Sequence, residues 1–95
     1  MSPITLQSQV SIPSHVMHRD LDGENVILDM QSGKYFGLNA VGARMWALMV
    51  EHGQLAAVHQ IMLAEYAVPA ERLEADLLAL VEKLASRGLV EVCAS

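Results

Sequence analysis

Aromatic side chains are scarce in this chain: one Trp, one Phe and two Tyr among 95 residues, 4% aromatic against 53% hydrophobic. A core made from such material has to be aliphatic, built of Leu, Ala, Val and Met, and the apolar fraction is too high for a disordered chain. Cysteine occurs once, at Cys93, which excludes an intramolecular disulfide and suits a reducing compartment. Basic residues are also few. The six are Arg19, Lys34, Arg44, Arg72, Lys83 and Arg87, dispersed without a run and outnumbered by eleven acids, so the net charge is −5. Binding along a phosphate backbone needs a basic face, so no nucleic-acid partner is expected. The longest strongly apolar run, Met45 to Val50, is far too short for a bilayer span. The N-terminus lacks the basic start and continuous apolar stretch of a signal peptide. A soluble, unprocessed, cytoplasmic protein with no membrane partner is the expectation.

The usual constellations of catalysis are missing too. There is no Gly-rich phosphate loop, no paired-carboxylate arrangement and no Ser-centred elbow, so no catalytic residue, no enzymatic activity and no cofactor are expected. His15, His18, His52 and His59 have neither an i, i+4 partner nor a CxxC companion, and a metal site is not expected. Cys93 has no identifiable base beside it to make it a nucleophile.

What is present is turn chemistry followed by helical period. At 95 residues the chain makes one domain, burying something over roughly 60% of its unfolded surface. Residues 1–13, bracketed by Pro3 and Pro13, have no period and read as a loose arm or an extended edge segment. A strand is expected over His15–Leu21, and Asp22-Gly23 is the strongest two-residue hairpin signal in the chain. Two further strand-like runs, 25–30 and 34–39, flank Gln31-Ser32-Gly33, whose glycine can adopt the left-handed conformation such a turn requires. Asn39 is a good N-cap for a helix carrying Val41, Met45, Leu48 and Met49 on one side, with Trp46 beside them and Gly53 as the stop. A second helix is expected from Leu55 to Tyr66. A third opens at Val68-Pro69, bears the stripe Leu73, Leu77, Leu80, Val81 and Leu84, and ends at Gly88. Residues 89–92 read as a short extended tail. The expected fold class is α+β: a small three-stranded antiparallel sheet followed by three helices, winged helix-turn-helix-like. The domain division is an N-terminal arm at 1–13, a recognition domain at 14–92 and a tail at 93–95.

A meander that ends at its third strand leaves an open edge, and an open edge offers unpaired backbone groups to another chain. Asn39, Gly42 and Gly33 read as structural residues and Trp46 as core. Tyr35 and Phe36 point to opposite faces of their strand, so one packs inward and the other is free for a partner.

The ordered combination Leu28-Asp29, Gly33, Tyr35, Leu38-Asn39, Gly42 and Trp46, then Tyr66, then an acidic residue and leucines leading to Gly88-Leu89-Val90, resembles the PqqD family across residues 15–92. These are peptide-recognition modules of ribosomally made peptide natural products. The resemblance implies that the leader segment of a precursor peptide adds to the sheet as an antiparallel strand, in a groove between the third strand and the third helix. It places the strand contacts on Lys34, Tyr35, Phe36, Gly37 and Leu38, and the opposite wall on Leu73, Asp76, Leu77, Leu80 and Lys83. The implied partners are that leader region and a leader peptidase or other maturation enzyme, as in lasso-peptide systems. Two rivals remain at this point. One is a PqqD-type peptide chaperone for a radical enzyme in quinone cofactor biosynthesis; the other is a winged-helix DNA-binding regulator, which the acids and leucines of the third helix oppose.

Overall fold

The structure is a computed structural model and describes residues 4–93; the outermost parts of the expected arm and tail, 1–3 and 94–95, lie outside the described residues. Three strands, β2 (Val16–Leu21), β3 (Glu24–Asp29) and β4 (Tyr35–Leu38), form an antiparallel sheet in the order β2-β3-β4. Asp22 and Gly23 both take positive φ, 53° and 85°, and Leu21 pairs with Glu24, so the β2–β3 connection is a two-residue turn. This is the geometry that matches strand twist, and Asp-Gly supplies it at little steric cost.

The β3–β4 turn is one residue longer than the sequence suggests. The ladder closes with the Asp29 N–H donating to the Lys34 carbonyl at 2.9 Å, leaving residues 30–33 in the turn. Asp29 holds it from both chemical ends. Its carbonyl accepts from the Gly33 N–H at 2.8 Å, and its Oδ1 accepts from the N–H groups of Gln31 at 2.9 Å and Ser32 at 3.4 Å. A short acid that bonds its own downstream backbone competes with strand continuation and ends β3 at residue 29.

Three helices follow: α1 (Ala40–His52), α2 (Leu55–Glu65) and α3 (Ala70–Ser86). Asn39 caps α1, its Oδ1 accepting from the Gly42 N–H at 2.7 Å. Gly42 is a close-packing position, since a Cβ there would stand 3.2 Å from that oxygen. Gly53 ends α1 at φ 75°. Pro69 stands just before α3, as its N-cap residue, and not inside the first turn as expected. The α2–α3 junction is fastened by His59, whose buried ring donates from Nε2 to the Ala70 carbonyl at 3.0 Å. On the outside, the Arg44 guanidinium of α1 grips the Glu65 carboxylate at the end of α2 in a two-point pair, Nε to Oε1 at 2.8 Å.

The described part of the N-terminal stretch is an edge segment, not a loose arm. Strand β1 (Gln9–Ser11) pairs antiparallel with β5 (Glu91–Cys93), so Cys93, expected in a free tail, lies opposite Gln9 in a two-stranded sheet. The Val10 N–H donates to the Gly53 carbonyl at 2.7 Å and the Leu55 N–H to the Ser8 carbonyl at 3.2 Å, which docks β1 on the α1–α2 turn with Val10 buried.

The core lies between the inward face of the β2-β3-β4 sheet and the three helices. It includes Ile27, Trp46, Leu48, Met49, Leu55 and Leu77, all 3% exposed or less. Met45, Met49 and Met62 are buried here, filling gaps between aliphatic neighbours. Leu77 is fully enclosed, so Leu77→Ala leaves a void as well as losing burial and should cost about 2–5 kcal/mol. Thermal denaturation should show the midpoint falling by more than about 10 °C. A shift under about 2 °C would mean that this side chain is not a core contact.

Candidate functional site

The phase of the β3–β4 ladder decides what β4 offers to a partner. Backbone groups in an antiparallel pair alternate between facing the neighbour and facing away. Since the Lys34 carbonyl faces β3, so do the backbone groups of Phe36 and Leu38, which stand opposite Ile27 and Asn25. Tyr35 and Gly37 therefore present their N–H and C=O groups outward. Among the described residues β4 has no strand on that side. Side chains alternate as well, but between sheet faces. Phe36 and Leu38 are half-buried and pack toward the helices, whereas Tyr35 is 72% exposed on the outer face. This resolves the Tyr35/Phe36 pair: Phe36 is the inward ring.

Across from that edge runs α3, and the space between them is a groove in two adjoining sections that share Phe36. The section toward α1 holds about 310 Å³ and is lined by Phe36, Gly37 and Leu38 from the strand, with Asp76, Ala79, Leu80 and Lys83 from the helix. Near the hairpin the other holds about 290 Å³, and its lining includes Lys34, Tyr35, Phe36, Ser86, Arg87 and Leu89. Asp76, Leu80, Lys83 and Arg87 follow one another by three or four residues and form one stripe. Leu73, Leu77, Val81 and Leu84 form the neighbouring stripe and are buried.

Eight of the ten expected site residues, Lys34, Tyr35, Phe36, Gly37, Leu38, Asp76, Leu80 and Lys83, line this groove. Leu73 and Leu77 do not: at 3% and 0% exposure they belong to the core, and the expectation for these two is corrected. Leu77, one position from Asp76, is turned about 100° from it around the helix, which moves it from wall to core. Ala79, Ser86 and Arg87 escaped the sequence reading, yet steps of three or four residues from Asp76 and Lys83 reach all three. No such signal marks Leu89.

The charges along the groove are unevenly committed. The Arg87 guanidinium sits 5.1 Å from the centre of the Phe36 ring, a cation–π contact that holds both in place. Partial desolvation pulls the Asp29 carboxyl upward. The Gln31 N–H, the hydroxyl and N–H of Ser32, and the charge of His15 outweigh it and hold the group below the usual carboxylate range. A depressed carboxyl contributes stability that is present above its unfolded value and is lost as pH falls through its folded one. Acidification below about pH 4 should therefore loosen the 30–33 turn before the core, seen as lost protection of the Gln31 and Ser32 amides relative to their intrinsic exchange rates at the same pH. Asp29→Ala should remove that pH dependence; if the variant retained it, another group would be responsible. Glu65 is also depressed, by the hydrogen bonds from Arg44, against a smaller opposing effect of desolvation.

Among the described residues no three His, Cys, Asp or Glu side chains gather where they could hold a metal, and no helix is long and apolar enough to cross a membrane. The histidines are dispersed: His18 bonds Asn25 at 3.0 Å, His15 lies 3.9 Å from Asp29, and His59 is at the α2–α3 junction.

The family model for Coenzyme PQQ synthesis protein D (PqqD) matches residues 24–90, which contain β3, β4 and all three helices. Among solved structures, TbiB1 in complex with the TbiA(beta) leader peptide is 37% identical, with a TM-score of 0.78 over 85% of this chain and 94% of that one. Lasso peptide synthetase B1 complexed with the leader peptide is 28% identical, with a TM-score of 0.79 over 87% of this chain and 98% of the other. No curated protein matches the chain.

Proposed function

The chain belongs to the PqqD family, and from that premise we propose that it is a non-catalytic adaptor of the lasso-peptide type. It binds the leader segment of a ribosomally made precursor peptide by strand addition and presents it to a leader peptidase or other maturation enzyme in the cytoplasm. The observation that carries this reading is the unpaired β4 edge facing α3 across a groove. Two of the solved structures it is similar to are leader-peptide complexes.

In this reading the leader lies antiparallel to β4 and bonds the outward backbone groups of Tyr35 and Gly37. Such bonds give affinity with little sequence preference, and alternate side chains of the added strand find pockets that give specificity. Phe36, Leu38, Ala79 and Leu80 supply the apolar floor, while Lys34, Asp76 and Lys83 stand at the rim. The walls are regular elements tied by the Asn39 cap and the Asp29 turn, so little ordering entropy opposes binding. A DNA-reading role fits poorly, because α3 carries Glu71, Glu74, Asp76 and Glu82.

Calorimetric titration with a synthetic leader peptide, beginning with the TbiA(beta) leader of the similar complex, tests the proposal, combined with amide shifts of the labelled protein. Saturable binding that moves the amides of 34–38 and 76–83 is the expected outcome. Binding that leaves both segments unmoved would overturn it.

A further inference from the structure

Strand addition by itself leaves register unspecified, because backbone bonding repeats every two residues whatever the sequence. Something in the groove must single out one position of the peptide, and the two ends of the groove differ in chemistry. Toward α1, Asp76 and Lys83 flank Leu80 with opposite charges. At the hairpin end, Lys34 comes from just before β4 and Arg87 from just past the helix, the latter over the aromatic surface of Phe36.

We infer that this hairpin end is a carboxylate subsite, taking one Asp or Glu side chain of the bound peptide between Lys34 and Arg87 and so setting the register of the added strand. The inference rests on the strand-addition reading above. Three observations carry it. First, in a chain of net charge −5, two of the six basic residues line this one section of about 290 Å³. Second, both are uncommitted: among the described residues neither side chain pairs with a carboxylate. The one acid in the section, Asp29, is already engaged by the Gln31 and Ser32 N–H groups and by His15. Third, Arg87 is held by stacking on Phe36, which fixes the guanidinium without using its N–H donors. A planar donor fork held in advance suits the two oxygens of a carboxylate, and Lys34 adds a point charge on the strand side.

The probe is a display library of randomised twelve-residue peptides selected on the wild-type protein, followed by fluorescence anisotropy with the enriched peptide made synthetically. Enriched sequences should carry an acid at one fixed offset from their apolar positions. Changing that acid to its amide should weaken binding to the wild type about tenfold, but less than twofold to a Lys34→Gln, Arg87→Gln double variant. Both residues are exposed, so the variant should keep its circular dichroism spectrum and melting midpoint. Amidating the peptide's C-terminus should change nothing; affinity lost on amidation would assign the cations to a chain terminus and overturn the side-chain subsite. Enriched peptides that alternate apolar residues without an acidic preference would also overturn it, leaving strand addition intact. If the selected peptides bind a Gly37→Pro variant as well as the wild type, strand addition itself fails and the subsite falls with it.

Discussion

A Gly37→Pro variant is expected to keep its fold and lose leader binding by about 100-fold. Proline removes one backbone donor and fixes φ, and at most strand positions that breaks the ladder. Here the missing N–H is the one that points away from β3, so no hydrogen bond inside the sheet is lost. A Cβ at Gly37 would meet nothing within 4 Å in the free protein, and the ring closes onto a nitrogen that faces the open side of the strand. Edge strands tolerate proline on their open side for this reason. An incoming strand would lose its bond to that N–H, keep a desolvated carbonyl without a partner, and meet the ring. Together these amount to about 3 kcal/mol, hence the factor of 100. Gly37→Ala has the same open space and keeps the donor, so it should bind within about threefold of the wild type. Calorimetry on both variants, beside their melting curves, gives the answer. Wild-type affinity in a folded Gly37→Pro protein would rule out pairing along β4.

The second large effect is on the opposite wall. Leu80→Glu is expected to weaken leader binding about 30-fold, with only a modest loss of stability. Leu80 is half-buried at the margin of the core and lines the groove section next to Phe36 and Leu38. Filling that section with a peptide side chain would desolvate it fully, and a carboxylate there would have to be buried or turned away. Central apolar contacts in a desolvated pocket typically carry about 2 kcal/mol or more, which is the stated factor. The contrast with Leu77, three residues earlier, is the control. Leu77→Ala should damage stability, while the molecules still folded bind the leader normally, because that side chain is 0% exposed and lines no groove. If Leu80→Glu left anisotropy titrations unchanged, α3 would not form the second wall.

Much of this was legible in the residues. Asp22-Gly23, Gly33, Asn39 and Gly53 each act through local backbone chemistry, and each does in the structure what its residue type favours. Helical period was equally readable: α1 and α2 begin where the caps and apolar spacing place them, and Trp46 is core. The division of α3 was not. Leu77 and Leu80 look alike in sequence and belong to overlapping apolar stripes. Only the position of β4 against the helix turns one stripe into core and the next into groove. The length of the β3–β4 turn was missed by one residue, because Asp29 can either extend a strand or cap a turn, and the outcome depended on both of its hydrogen-bonding ends being used.

By itself, then, the sequence determined the elements from β2 to α3, their order, the acidic charge that opposes nucleic acid, and the open third strand of the meander, because these follow from interactions among residues close together in the chain. The tertiary structure decided the pairing of β1 with β5, the uncommitted cations at the hairpin end, and which face of α3 meets the groove. Those depend on segments as far apart as Gln9 and Cys93, or Lys34 and Arg87, whose meeting leaves no periodic signal in either partner. Their positions are set by burial and packing of the whole core, a property that no short window of residues contains.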